Sequence, residues 1–488
     1  MEKAPKIRVA FLTSEMAPLA KTGGLADVTG ALPKYLSLNQ PLEAVVLMPF
    51  YREVKKKNLK LKPVFKGFQI DWPGQEKIFS VYEYQADGFK VYLINNDAYY
   101  DRDYLYGTPE GDYKDNGERF AFFCLASLKT LKTLNFQPDL IHAHDWQSAL
   151  TFAYLKHHSE MKGSLGPAKS LFTIHNLAYQ GLFEPEIIAK VDLPDYLFNL
   201  EDLEFYGKVN FLKAGLLYSD AISTVSPTYS LEIQTPEFGF GLEGVLRKRS
   251  DRLFGILNGI DYQEWNPETD PALPAHYSKQ NQAGKLVCKR ELLKLFNFPP
   301  DSSRPIIGLV SRLAGQKGFD LLTRSLDEIL ARDLYLIILG TGEKEIQDRL
   351  LEARKKYRDR LGLRIAFDDR LARLIYAGSD FFLIPSRYEP CGLTQMYSLR
   401  YGTIPIVRRT GGLKDSVQEF NSGQLEGNGF LFQEYETAAL VQALDRALSY
   451  YRKEPFWSKI LNNAFSSDFS WEKSTQEYFR LYLKIINS

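Results

Sequence analysis

Cysteine is scarce. Cys124, Cys288 and Cys391 are the three in 488 residues. They are too few for a disulfide framework, and no C-x-x-C pair occurs. That usage fits a reducing compartment. No apolar run is long enough to span a bilayer. The amino-terminal MEKAPKIRVAFLTSEMAP carries no signal-type apolar region before its first strand-like run. Neither sign of charge is in excess: 61 Lys and Arg stand against 60 Asp and Glu, a net charge of +1. This removes the global electrostatic argument for nucleic acid or an anionic membrane, while still allowing a local basic site for a small anion. No G-x-x-x-x-G-K-[ST], H-E-x-x-H or G-x-S-x-G is present, so phosphate-loop, zinc-peptidase and serine-hydrolase chemistries lack their signatures. The expectation is a soluble cytoplasmic protein.

What is present is ordinary in bulk and ordered in detail. Hydrophobic residues make up 44% and charged residues 25%, as in a soluble globular chain. Aromatics reach 14%; their faces stack on sugars, but a large core uses the same residues. The length favours two domains. Short β-branched runs (KIRVAFLT, AVVLMPF, KVYLINN, DLIHAHD, KSLFTIHN, AISTVSP, LFGILNG) alternate with helical patterns. Each is nearly all apolar and ends in a turn-forming or capping residue, the pattern of buried parallel strands. A stretch from about residue 64 to 91 alternates more and reads as antiparallel decoration. A polar, Pro-rich segment, DYQEWNPETDPALPAHYSKQNQ, has the composition of a linker or of surface loops. Strand runs then resume with PIIGLVS, DLYLIILG, LRIAF, DFFLIPS and TIPIVRR. The architecture predicted is α/β: two tandem Rossmann-like doubly wound domains, residues 1–261 and 262–468, with an amphipathic helix at 469–488 that closes the second or crosses back to the first. Ligands in such folds sit beyond the carboxyl ends of the strands, so the cleft between the domains is the expected active site.

The unusual residues fall at those strand ends. In LVSRLAGQKGFDLL, Arg312 and Lys317 flank a Gly-containing loop before a helix. Glycine permits close approach, the helix start favours an anion, and two cations suit a phosphate or diphosphate. A surface loop with two solvated cations fits the spacing equally well. In PSRYEPCGLTQMYSLRYG, Glu389 follows a strand and precedes a helix start near Leu393 or Thr394. It suits sugar hydroxyls, or it merely favours the helix dipole. His142, His144 and Asp145 end one strand, and His175 with Asn176 the next. The two histidines at 142 and 144 alternate with apolar residues and read as core, and the ligand spacing argues against a metal. His175 and Asp145 read better as polar contacts to a substrate. The hexad T-G-G-L-x-D occurs twice, at 22–27 and 410–415, each after an apolar run and before a helical pattern.

KTGGLADV, HAHDWQSAL, TIHNLAYQG, LNGID, SRLAGQKGFDLL and PSRYEPCGLTQMYSLRYGTIPIVRRTGGLKDSV together resemble the bacterial glycogen synthases and plant starch synthases. These are retaining glycosyltransferases of GT-B architecture. The resemblance runs in order along almost the whole chain. It implies transfer of glucose from ADP-glucose to the non-reducing end of an α-1,4-glucan, with release of ADP and no metal or other cofactor. It implies roles by position. Lys21, with Gly23 and Gly24, contacts the donor. Arg312 and Lys317 hold the diphosphate. Glu389, Cys391, Gly392, Leu393 and Thr394 form the loop for glucose and distal phosphate. Asp145, His175 and Asn176 surround the transferred sugar, and Asn258 is a further cleft residue. Arg312, Lys317, Glu389, His175 and Asp145 are thus the catalytic candidates.

Charge development agrees with that assignment. Glucosyl transfer builds positive charge on the sugar and negative charge on the leaving diphosphate, so fixed cations at the leaving group supply the stabilisation. Domain closure would then exclude water. The resemblance implies a front-face reaction, in which the leaving phosphate helps deprotonate the acceptor, rather than a nucleophilic Glu389. One departure bears on the base. In FDDRLARLI, Phe367 stands where the family usually has a base-stacking Tyr, with Arg373 where a His is common. Phe keeps the stacking face and loses the hydroxyl, which leaves UDP-glucose open as donor. A different acceptor stays open as well, and so does a catalytically dead glucan-binding protein.

Overall fold

The computed structural model describes residues 6–300 and 303–488. Two compact units divide them: the first takes the chain up to Val225, Ser230–Gly259 and Trp471–Ser488; the second takes Ser226–Tyr229 and Ile260–Ser470.

The first unit is built on nine strands: β1 (Ile7–Leu12), β2 (Leu42–Pro49), β3 (Lys62–Trp72), β4 (Gln75–Gln85), β5 (Lys90–Asn95), β6 (Leu140–His144), β7 (Lys169–Ile174), β8 (Ala221–Thr224) and β9 (Leu253–Gly255). Their order across the sheet is β9-β8-β7-β6-β1-β2-β5-β4-β3. The strands from β9 to β5 pair in parallel. Their apolar runs are buried because helices cover both faces of such a sheet; Val9, Ala10, Phe11 and Leu12 of β1 have no exposure at all. β3 and β4 extend the edge antiparallel to β5, joined by Pro73 and Gly74, whose φ of +79° fits a two-residue hairpin. The chain leaves β1 for β2 and later returns to β6 on the other side. The switch point of the sheet therefore lies between the carboxyl ends of β1 and β6.

The helix Trp471–Ile486 belongs to this first unit. One face, with Trp471, Tyr478, Leu481, Tyr482 and Ile485, is buried, while Glu472, Lys473, Glu477 and Lys484 stay in solvent. The spacing is that of an amphipathic helix. It is pinned by polar contacts as well. The Tyr482 hydroxyl lies 2.8 Å from His142 Nδ1, and Ser474 Oγ donates to the Leu257 carbonyl at 2.8 Å.

The second unit holds β10 (Ile306–Val310), β11 (Tyr335–Gly340), β12 (Leu361–Ile365), β13 (Phe381–Ile384), β14 (Ile404–Arg408) and β15 (Phe430–Phe432) in the order β12-β11-β10-β13-β14-β15. Every pairing is parallel. This is the doubly wound nucleotide-binding order, with its switch point between β10 and β13. Its core joins Ile307, Leu309, Leu336, Ile338, Phe381 and Ile406 of the strands to Leu322, Leu326 and Leu444 of the helices. The Pro-rich segment after Gly259 is no loose tether. The Trp265 ring stacks on Tyr397 at 3.7 Å, and Asp270, 2% exposed, accepts from Tyr401 and Arg373. Composition marked the segment as polar and missed that one indole and one carboxylate anchor it.

Candidate active site

In the second unit the two loops at the switch point are locked together. Beyond β10 the chain passes Ser311 and Arg312, makes a single turn at Gly315–Lys317, and reaches Gly318 at φ +77° before the helix Phe319–Leu330. A Cβ on Gly318 would stand 1.9 Å from the Pro385 carbonyl oxygen, just past β13, so only glycine fits. The Arg387 amide donates to the Gln316 carbonyl at 2.9 Å. The closeness brings charge together. Lys317 Nζ lies 2.9 and 2.7 Å from the two Glu389 oxygens, and Ser386 Oγ donates to Glu389 Oε2 at 2.9 Å. Glu389 is 6% exposed, and a cation and a hydroxyl meet its carboxylate there. Arg312 is exposed, and among the described residues no ion pair engages it. A buried carboxylate and a lysine paired with it thus stand at the switch point, and Arg312 belongs to the same loop as that lysine.

The loop from Glu389 to Thr394 is shaped by glycines from elsewhere. Gly392 adopts φ +71°, and beneath it the Gln395 amide donates to the carbonyls of Cys391 and Gly392 at 3.0 and 2.8 Å. Cys391 is buried at 6% exposure. Leu393 caps the short helix Thr394–Arg400. The second T-G-G-L-x-D copy presses on this loop. A Cβ on Gly411 would sit 2.0 Å from the Glu389 carbonyl oxygen, and one on Gly412 2.1 Å from that of Cys391. Its Asp415 accepts from the Thr228 amide and hydroxyl at 2.8 and 2.6 Å. That copy is a packing device.

Phe367 follows β12 with 89% of its surface exposed, an open ring at the carboxyl edge. Arg373 instead faces inward. It bonds Glu264, Asp270 and Asp369 at 2.9, 3.3 and 2.9 Å and lies 4.1 Å over the Trp265 ring. It fastens the Pro-rich segment.

In the first unit the switch point carries a second cluster. Glu15, three residues past β1 and 3% exposed, accepts from the Thr22 amide at 2.5 Å, the Thr22 hydroxyl at 2.6 Å, the Gly23 amide at 3.2 Å and the Tyr106 hydroxyl at 2.6 Å. The carboxylate thereby organises the turn that opens helix Gly24–Asn39. Lys21 beside it is about half exposed, with Nζ 2.6 Å from Asp27 Oδ1. Gly23 is extended, and a Cβ there would meet nothing within 4 Å. Among the described residues no atom requires this glycine. Sequence reasoning passed over Glu15 and Tyr106. The signal available was a lone carboxylate at the end of the first strand.

At the ends of β6 and β7, Asp145 holds φ +56° as it starts the helix Trp146–His157, a backbone state uncommon outside glycine. Its Oδ1 accepts from the His175 amide at 2.7 Å. Burial pushes the Asp145 carboxyl up to about 7; the Glu15 charge adds to this, and the amides of His175 and Asn176 oppose it. Burial pushes His175 down to about 3, so its ring is neutral near pH 7. Nε2 of His175 lies 3.0 Å from His144 Nδ1. Asn176 Oδ1 accepts from the Ala178 amide at 3.1 Å. His142 and His144 are fully buried, with burial holding both rings neutral. Among the described residues no group of three or more His, Cys, Asp or Glu is placed to hold a metal ion. Asn258 is 4% exposed, and its Oδ1 has no hydrogen-bond partner among the described residues.

Residues 8–248 match the starch synthase catalytic domain family, and residues 294–459 the glycosyl transferases group 1 family. The chain is 45% identical over 480 residues to the glycogen synthase of Koribacter versatilis (strain Ellin345), covering 98% of each. It is 45% identical over 488 residues to that of Thermosipho africanus (strain TCF52B), covering 99% of each. Among solved structures it superposes on the catalytic domain of starch synthase IV from Arabidopsis thaliana, bound to ADP and acarbose. The TM-score is 0.90 at 32% identity, over 99% of this chain and 100% of that one.

Proposed function

The chain belongs to the glycogen and starch synthase family of glycosyltransferases, and on that premise we propose that it elongates an α-1,4-glucan with glucose from ADP-glucose, retaining the anomeric configuration and releasing ADP. The observation that carries this reading is the Lys317–Glu389–Ser386 cluster at the second unit's switch point, in a loop that also carries the exposed Arg312. A diphosphate needs fixed positive charge that strengthens its hold as negative charge accumulates on departure. Arg312 offers a fork and Lys317 a point charge for that purpose. Glu389, once Lys317 turns to phosphate, keeps a desolvated carboxylate for sugar hydroxyls. The leaving phosphate oxygen takes the acceptor proton, because Glu389 is committed to ligand binding and no second free carboxylate accompanies it in the described part of this cluster. Gly392, Leu393 and Thr394 frame the loop that receives the sugar and distal phosphate.

From the first unit, Lys21 is assigned to the donor, and neutral His175 with Asp145 and Asn176 to sugar hydroxyls. The ADP held by the Arabidopsis relative supports adenine as the base, and the exposed Phe367 ring offers a face on which a base can stack. No metal or cofactor is assigned to the reaction, and the cytoplasm is its proposed place. No helix among the described residues is long and apolar enough to cross a membrane. The test is direct. Purified protein is given glycogen with ADP-glucose or UDP-glucose, and nucleotide release and chain length are followed. Elongation with ADP-glucose is expected. Elongation with UDP-glucose alone would overturn the base assignment, and release without elongation the acceptor.

A further inference from the structure

Two consecutive residues at the end of β6 hold one residue just past β7. Asp145 Oδ1 accepts from the His175 amide at 2.7 Å and fixes its backbone. His144 Nδ1 lies 3.0 Å from His175 Nε2 and fixes its ring. The synthase reading gives His175 and Asp145 a part at sugar hydroxyls, and His144 none.

A separation of 3.0 Å between two ring nitrogens is a hydrogen bond, so one of them carries a proton. Burial keeps both rings neutral near pH 7. Each ring then has one N–H, and only one of the two fits in the gap. Two arrangements satisfy this. In the first, His175 Nε2–H donates to His144 Nδ1; the His144 proton then sits on its own Nε2, and His175 Nδ1 is a bare acceptor. In the second, His144 Nδ1–H donates to His175 Nε2; His144 Nε2 is then bare, and His175 carries its N–H on Nδ1.

The surroundings of His144 choose between them. Its Nε2 is buried and has no hydrogen-bond partner among the described residues. Aromatic rings pack beside it: Phe11 stacks at 6.1 Å and 13°, and His142 lies 4.2 Å away at 33°. His142 has no lone pair to spare, because Tyr482 and Thr173 hydroxyls occupy its two nitrogens at 2.8 and 2.6 Å. The Thr173 hydroxyl is also taken by Ser223 Oγ at 2.6 Å. An N–H at His144 Nε2 would give up its bond to water for nothing, and proteins leave buried donors unpaired less often than acceptors. The second arrangement is therefore the favoured one. With Nε2 of His175 engaged, Nδ1 is the one ring nitrogen that this partly buried residue has left for a ligand.

We propose that His144 is a positioning residue: by donating from Nδ1 to His175 Nε2 it holds His175 as the Nδ1–H tautomer, so that His175 meets a sugar oxygen as a donor and not as an acceptor. The sugar rests on the synthase reading; the tautomer does not, and the test separates the two. Long-range proton–nitrogen spectra of the full chain, labelled with 15N-histidine, report which nitrogen of each ring is protonated, and the signal lost in His175→Ala assigns that residue. The parent is expected to show His175 protonated at Nδ1. His144→Phe, which keeps a ring and loses the donor, should move His175 toward Nε2–H. It should also lower kcat/KM for ADP-glucose roughly tenfold, the worth of one hydrogen bond. His144→Asn, whose amide can stand in for the Nδ1 donor, should keep Nδ1–H and recover most of kcat/KM. In a His175→Ala background, His144→Phe should change the residual kcat/KM by less than about twofold, because a residue that acts through another has nothing left to act on.

Nε2–H on His175 in the parent, a tautomer that His144→Phe leaves unchanged, or an equal loss of kcat/KM with His175 absent would overturn the proposal. Should His144→Phe fail to fold, the parent spectrum and His144→Asn decide it: Nε2–H in either overturns it. Absence of elongation with every donor, with His175 still held as Nδ1–H through His144, would instead sink the synthase reading and leave the positioning pair standing.

Discussion

Lys317 and Glu389 show how much a single pair does. The lysine is 2.7 Å from a carboxylate whose side chain is 7% exposed. Removing the lysine leaves that carboxylate unpaired, which costs about 3–5 kcal/mol for a buried charge. Lys317→Ala should therefore lower both melting temperature and turnover, the latter by roughly 10²–10³-fold if it stabilises the leaving group. Lys317→Arg should restore more of the melting temperature than of the turnover. Parallel thermal unfolding and nucleotide-release assays check this, and a Lys317→Ala enzyme with near-normal turnover would remove the diphosphate assignment. Asp145 carries a pH signature. Its folded value of about 7 lies above the ordinary 3.9 of an unfolded Asp. The unfolded chain ionises first as pH rises, so the parent loses stability from about pH 4 up to about 7. Asp145→Asn lacks that loss. The melting temperature of the variant minus that of the parent should therefore grow across this window. A flat difference would show that the site is better solvated. Arg312, Lys317 and Glu389 were legible in sequence because each follows a run that can only be a strand. Glu15, Tyr106 and Ser386 were not, because their importance lies in which partner tertiary packing brings to them.

At the scale of the element, the twice-written T-G-G-L-x-D shows the limit of a local motif. Both copies open a helix after a strand, as the residue pattern implies. Their surroundings differ. Gly411, at φ +43°, packs against the Glu389 carbonyl, whereas Gly23 faces open space. Gly411→Ala should thus lower the melting temperature by several degrees, in line with about 1–3 kcal/mol for a strained backbone site plus a steric clash. It should lower turnover too, because Glu389 must shift. Gly23→Ala should leave the melting temperature unchanged and act only on substrate, seen as a raised KM for the sugar nucleotide. Equal thermal losses in the two variants would mean that both turns are structural. Hydrophobic periodicity locates the strands and helices, but it carries no information about which carbonyl lies across from which glycine.

Across the whole molecule, strand runs separated by helical patterns were enough to read two doubly wound units, because buried parallel strands leave continuous apolar runs. The division of the chain was less visible. The Pro-rich segment reads as polar, yet Trp265 and Asp270 seat it in the second unit. The final helix carries an amphipathic pattern that names no partner, yet it belongs to the first unit. That unit is therefore discontinuous. The helix Trp471–Ile486 emerges from the ribosome after the entire second unit, so its apolar docking surface stays open until that helix has been made. Truncation before Trp471 would strip the first unit of a face containing Trp471, Tyr478, Leu481, Tyr482 and Ile485. It would also leave the buried His142 without its Tyr482 hydroxyl. An unpaired buried polar group costs about 1–3 kcal/mol by itself, and each large apolar side chain lost adds about 1.5–3 kcal/mol. The sum approaches the whole stability of a domain. The truncated chain should give a first-unit thermal transition that is lost or sharply lowered, with the second-unit transition kept, because Ile260–Ser470 is intact. Hydrogen exchange resolves the two: fast exchange across the first unit's sheet, with the second unit's strands still protected, is expected. Protection there equal to that of the full chain would show that the helix is dispensable to the fold.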